Sequence, residues 1–274
     1  MVENPLLAAF LRWADQESNV KVVTLFGSHA RGEATATSDV DLQVVTSLPV
    51  AFETADWTRY LEGCTLRSYA VRPATGGVRK ATGLFGEGEI DLVVVPLSKL
   101  RLARLCVRLG LHRRVPALQR ALGPLVIILR PGHRVLRGGP KWSGFYRQAI
   151  AEVPDPRLND EEVRSLAETA YVDAVWISKK AKQGELLAAQ RWLHRTPAEV
   201  NFRLLNEWRL RRGVPPCFDA RRAEQTLSDE EKAMISINAT LEAEELFNAA
   251  RRSIASTRRL VRELTGNEPR WPEI

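Results

Sequence analysis

The chain has 274 residues, 45% of them hydrophobic and 27% charged, the balance of a globular protein with one large domain or two moderate ones. No apolar run approaches bilayer-spanning length, and the opening MVENPLLAAFLRWADQ lacks a basic n-region and a cleavage site, so a membrane role is set aside and the cytoplasm is expected. Scattered Cys64, Cys106 and Cys217 suggest neither a disulfide framework nor a zinc site, and the net charge of +7 favours anionic ligands, although much of it is Arg dispersed over helical faces.

After an amphipathic first helix, KVVTLFGS (21–28) and VDLQVVTS (40–47) are apolar, β-branched runs bounded by turn residues, as strands are. Between them lie a turn and a short helix. VAFETADWTRYLEG is expected to form a helix, and TLRSYAVRP (65–73) and VRKATGLFG (78–86) to form strands. The latter turns through GEGE into IDLVVVPL (90–97) as a hairpin. These elements predict an α/β sheet of four or five strands covered on one face by helices. SKLRLARLCVRLGLH is helical, and GPLVIILRPGHRVLRGGPKW (123–142) reads as a linker or edge element.

From Asn159 onward the periodicity is helical. NDEEVRSLAETAYVDAVWISKKAKQG opens on a cap and an acidic turn, and further helices start at caps expected at Thr196 and Ser228. The last is written as one long helix. The expected class is therefore α+β: a mixed sheet with flanking helices over residues 1–142, then a helical bundle over 143–274.

LFGSHARG and SDVDL carry the chemistry. Residues two apart in a strand share a face, so Asp39 and Asp41 point one way while Val40 and Leu42 enter the core. Paired carboxylates repel unless a cation neutralises them, and oxygen-only ligands suit Mg²⁺. Gly27 leaves room for a phosphate against the backbone, and Ser28 offers a hydroxyl and an amide. Asp91 opens an apolar strand, where it can join the pair as a shared metal ligand or a general base, with Glu89 as the alternative base.

The pattern of Gly27-Ser28, ten residues, Asp39-x-Asp41 and a later strand Asp91 resembles the DNA polymerase beta-type nucleotidyltransferase superfamily. Within it, GSHARG with SDVDL, EIDLVVVP and a helical second half are most similar to small-molecule adenylyltransferases of the aminoglycoside and lincosamide resistance type. The resemblance rests on residues 25–45 and 89–96, with weaker support from AYVDAVWISKKAKQGELLAA. It implies attack by an acceptor hydroxyl on the α-phosphorus of a nucleoside triphosphate, ATP first, with pyrophosphate leaving and two Mg²⁺ as cofactors. It further implies Ser28 on the phosphates, Asp39 and Asp41 on the metals, and Asp91 as third carboxylate. The acceptor implied is a small hydroxylated molecule such as an aminoglycoside; RNA or protein is the alternative, and a catalytically silent nucleotide-binding module is a third reading.

Other residues make lesser claims. Lys180 shares a helical face with Asp173 and Trp176 and is a candidate for the triphosphate. Asp173 and Glu185 are candidates for a cationic acceptor or for an alternative general base to Asp91, with solvated surface as the plainer reading. Arg31 can meet substrate or a neighbouring carboxylate, and His29 needs no metal role. Trp142, Trp176, Trp192 and Trp208 read as core or interface aromatics.

Overall fold

The computed structural model describes residues 4–74, 76–217, 220 and 223–274. The chain forms two compact units, residues 1–156 and 157–274. In the first, α1 (Pro5–Gln16) starts at Asn4, whose side chain accepts from the Leu7 amide at 3.1 Å, while Pro5 occupies a position that needs no donor. Its buried stripe is Leu6, Ala9, Phe10 and Ala14. There follow β1 (Val20–Phe26), α2 (Gly27–Arg31), β2 (Val40–Thr46), β3 (Leu66–Ala74), β4 (Val78–Phe85) and β5 (Gly88–Pro96). The unit ends with α3 (Leu97–Arg108), α4 (Pro116–Leu129), β6 (His133–Arg137) and α5 (Pro140–Glu152).

The described strands make one six-stranded sheet in the order β3-β4-β5-β2-β1-β6. Only the β2–β5 pair is parallel; the other neighbours run antiparallel. Helices cover both faces rather than the one expected. Val23, Leu25, Leu42, Val44, Leu92 and Val94 pack toward α1, whereas Val22, Phe26, Val45 and Val95 pack with Leu100, Val126, Phe145 and Tyr146 of α3, α4 and α5. The doubled apolar positions 22/23, 44/45 and 94/95 explain this, because a strand wet on one face alternates instead. A register shift between Val20 and Val22 returns Val20 to the α1 side.

Three local expectations change. Residues 49–60 form two 3₁₀ turns, Pro49–Phe52 and Asp56–Tyr60, instead of a helix. Phe52 and Trp57 both pack on Trp13 of α1, and five residues apart on an α-helix they would diverge by roughly 140°. Within 123–142, the apolar run completes α4 and only His133–Arg137 is an edge strand, paired to β1. The expected division after residue 142 passes through α5, whose Trp142, Phe145 and Tyr146 are buried in the first unit's core.

The second unit comprises α6 (Asp160–Lys182), α7 (Leu186–Arg195), α8 (Pro197–Arg211), α9 (Ala223–Thr226), α10 (Asp229–Ile235) and α11 (Ala243–Thr265). Reciprocal capping boxes, Asn159 with Glu162 and Ser228 with Glu231, start α6 and α10. Thr196 makes no side-chain cap bond; Pro197 occupies the first turn of α8. The buried face of α6 is Val163, Ala167, Ala170, Ala174, Ile177 and Ala181, a helical stripe of mostly small residues in one core with Leu246, Ala250, Ile254 and Val261 of α11. The single long helix expected from Ser228 is broken at 236–242, where the Asn238 carbonyl accepts from Arg252 at 3.0 Å instead of continuing the helix. No described helix is long and apolar enough to cross a membrane.

Candidate active site

Strand pairing builds the site. Phe26 lies opposite Asp41, Asp41 opposite Asp91, and Asp91 opposite Thr82, so four strands contribute to one row across the sheet. Alternation puts Asp41, Gln43 and Val45 on one face of β2, the face whose Val45 joins the α3–α5 core. Asp39 precedes β2 by one residue. One carboxylate oxygen from each of Asp39, Asp41 and Asp91 lies within 4.8 Å of the others. Asp41 and Asp91 are only 4% and 3% exposed, so their charges are largely removed from water. Three like charges this close, two of them this dry and Asp39 half-buried, carry a high cost, which neighbouring cations and donors must offset.

The β4 strand supplies part of that offset. Lys80 forms an ion pair with Oδ2 of Asp91, and the Thr82 hydroxyl donates to Oδ1 at 2.5 Å. Arg72 on β3 in turn donates to the Thr82 hydroxyl at 3.0 Å. Burial, then repulsion from Asp91 and Asp39, lifts the Glu89 carboxyl above the usual carboxylate range, against the opposing pull of Lys80 and Arg72. Beneath the row, Tyr146 of α5 donates to Oε1 of Gln43 at 2.5 Å, and burial pushes its phenol far above the ordinary tyrosine value.

Gly27 is required by geometry. Its φ is +72°, and a Cβ there would sit 2.1 Å from Oδ2 of Asp41. The bare backbone thus closes on the carboxylate it serves. The Ser28 hydroxyl beside it is buried without a hydrogen-bond partner, as is Nε2 of His29. A buried polar atom without a protein partner in such a place suits a ligand oxygen. An all-oxygen set of three carboxylates, with an unengaged hydroxyl alongside, fits a hard divalent cation carrying phosphate.

Asp39, Asp41, Asp91 and Gly27, singled out by their pattern, therefore come together with Ser28 next in the chain. Lys180 belongs to the second unit, where its ammonium meets Glu185 Oε1 at 2.6 Å and lies 5.5 Å from the Trp176 ring centre. Asp173 is half-buried and Glu185 exposed. Arg31 takes the carboxylate option, Glu33 at 2.7 Å. Trp142 is a core residue, and Trp176, Trp192 and Trp208 pack against the second unit's core. Sequence reasoning missed Lys80, Thr82 and Arg72. Their signal was available: in a tight hairpin with Phe85 opposite Gly88, Thr82 falls opposite Asp91 and Lys80 shares its face.

Comparison with known proteins bears on the same segment. No curated protein matches the chain in sequence. The structure is similar to the aminoglycoside 6-adenyltransferase from Bacillus subtilis, at 13% identity and TM-score 0.40, over 97% of this chain and 91% of that one. It is also similar to a nucleotidyltransferase-like protein from Exiguobacterium sibiricum 255-15, at 12% identity and TM-score 0.35, over 94% of this chain and 73% of that one. Residues 7–101, which hold all three aspartates and the Gly27-Ser28 turn, match the family model described as nucleotidyltransferase domain, and this part of the chain is a nucleotidyltransferase domain.

Proposed function

We propose that the protein is a Mg²⁺-dependent nucleotidyltransferase that moves a nucleoside monophosphate, AMP from ATP in the first instance, onto a hydroxyl of a small acceptor and releases pyrophosphate. The observation that carries this reading is the convergence of Asp39, Asp41 and Asp91 within 4.8 Å inside a nucleotidyltransferase domain. A silent nucleotide-binding module has no use for two buried, mutually repelling carboxylates, so the third reading is set aside.

Asp39, Asp41 and Asp91 would hold the metal, which when bound neutralises the phosphate oxygens and lowers the barrier to displacement at phosphorus. The protein's own groups do the rest. The Ser28 hydroxyl donates to a phosphate oxygen, and Gly27 lets the backbone beside it close on the Asp41 carboxylate. As the acceptor oxygen bonds to the α-phosphorus, the bond from that phosphorus to the bridging oxygen breaks and its electron pair leaves with pyrophosphate. The hydroxyl proton passes to Asp91, which Thr82 and Lys80 hold in register. The reaction belongs in the cytoplasm, where nucleoside triphosphates and Mg²⁺ are available.

Titrating Mn²⁺ by electron paramagnetic resonance in the presence of a non-hydrolysable ATP analogue tests the site. The wild type should bind the ion, and Asp39→Asn or Asp41→Asn should weaken binding at least about tenfold. Unchanged binding in both variants would remove the metal assignment.

A further inference from the structure

We propose that the acceptor hydroxyl is carried by an anionic molecule, bearing a phosphate or carboxylate, and that Arg72 and Lys80 bind that anionic group. The proposal rests on the nucleotidyl-transfer reading of this site.

The sheet separates the two sides of the reaction. Gly27 and Ser28 follow β1 on one side of Asp41, while Asp91, Lys80 and Arg72 follow in order on β5, β4 and β3 on the other. Lys80 stands three strands from β1, roughly 14 Å at the usual inter-strand spacing. A triphosphate seated at Ser28 and reaching the aspartates leaves the β4–β3 side for the acceptor. That side is cationic. Strands β3 and β4, LRSYAVRPA and VRKATGLF, contain four basic residues and no Asp or Glu.

Two of the four face the reacting row. Arg72 is paired opposite Lys80, and both reach back toward it: Lys80 to Asp91, Arg72 to Thr82. Arg79 points elsewhere, toward Glu53 at 3.8 Å, and Arg67 lies beside Gly86. On β3 the same face continues as Ala70 and Ser68, both short and exposed, opposite Thr82 and Leu84. The acids near this shelf are the cluster itself, Asp39, Asp41 and Asp91, with Glu89 beside it and Glu87 held at the Thr65 amide just before β3. A polycationic acceptor arriving at Asp91 would meet an ammonium and a guanidinium, whereas a phosphate or carboxylate there gains two charge-assisted partners.

The test offers the full chain α-labelled ATP, Mg²⁺ and matched acceptors: ribose, ribose 5-phosphate, a short oligoribonucleotide with a free 3′-hydroxyl, and an aminoglycoside. Label on ribose 5-phosphate but not ribose identifies a small phosphorylated acceptor, and label on the oligoribonucleotide identifies RNA. In either case Arg72→Ala should raise the acceptor KM at least about tenfold, with the ATP KM nearly unchanged. Label confined to the aminoglycoside, or a rise in the ATP KM instead, overturns the proposal while nucleotidyl transfer stands. If nothing is labelled, the transfer reading itself fails on this panel, and a binding readout decides the anion site. Broadening of the ribose 5-phosphate ³¹P line by the wild type, lost in the exposed-site variant Arg72→Ala, supports it; no broadening overturns it.

Discussion

Replacing Gly27 by alanine probes the tightest contact in the site. The φ of +72° costs a non-glycine residue about 1–2 kcal/mol. The added Cβ would also stand 2.1 Å from Oδ2 and 2.9 Å from Cγ of Asp41, where real Cβ contacts essentially never fall below 3.0 Å. The carboxylate must therefore retreat by roughly 0.9 Å, the difference between 3.0 and 2.1, and Asp41 at 4% exposure has no open solvent to retreat into. A displacement of about 1 Å in a reacting constellation costs on the order of 10²-fold. Gly27→Ala should thus lose about 1–3 kcal/mol of stability in urea unfolding and about 10²-fold in kcat/KM for pyrophosphate release. Its response to Mg²⁺ should shift to higher concentration. If the variant stayed folded and turned over like the wild type, the close approach of backbone and Asp41 would have no part in catalysis.

Three other outcomes follow from the same geometry. Tyr146→Phe leaves the buried Gln43 oxygen without its donor and should cost about 1–3 kcal/mol in urea unfolding; no loss would mean the bond contributes nothing. Because burial raises the folded-state pKa of Tyr146, its contribution is complete below about pH 10, the unfolded value, and declines as pH rises beyond it. That decline should be smaller in Tyr146→Phe. Burial of Glu231 raises its pKa, but bonds from the Ser228 amide and Arg209 outweigh this and lower it, so its contribution is present above about pH 4.3 and lost as pH falls further. Acid unfolding of Glu231→Gln should accordingly show a shallower dependence below that pH than the wild type. An identical profile would dissociate the cap from acid stability.

Most of the catalytic unit was legible because its signals are local. Turn residues bracket the β-branched runs, and a period of two puts Asp39 and Asp41 on one side. Asp91 was legible as a lone carboxylate opening an apolar strand, while the parallel pairing of β2 with β5 that carries it to Asp41 is a long-range contact. The helices over the second face were less legible, because doubled valines such as Val44 and Val45 read equally as a buried strand of either packing. Residues 49–60 misled for a tertiary reason: Phe52 and Trp57 must both meet Trp13, which helical periodicity alone cannot reveal. Across the break at 236–242 the Asn238 carbonyl is met by Arg252 from a helix later in the chain, a contact that helical periodicity does not announce. Lys80 and Arg72 were passed over because a cation in a strand reads as solvated surface until its cross-strand neighbour is known.

The central claim, nucleotidyl transfer at the three aspartates, is tested most directly by following both halves of the nucleotide. ATP labelled at the α-phosphate is incubated with the full chain, Mg²⁺ and the acceptor panel, and the label and the released phosphate species are counted together. The account predicts label on the acceptor with an equal amount of pyrophosphate, both abolished by Asp41→Asn. Release of inorganic phosphate in place of pyrophosphate, or turnover that survives Asp41→Asn, would contradict it.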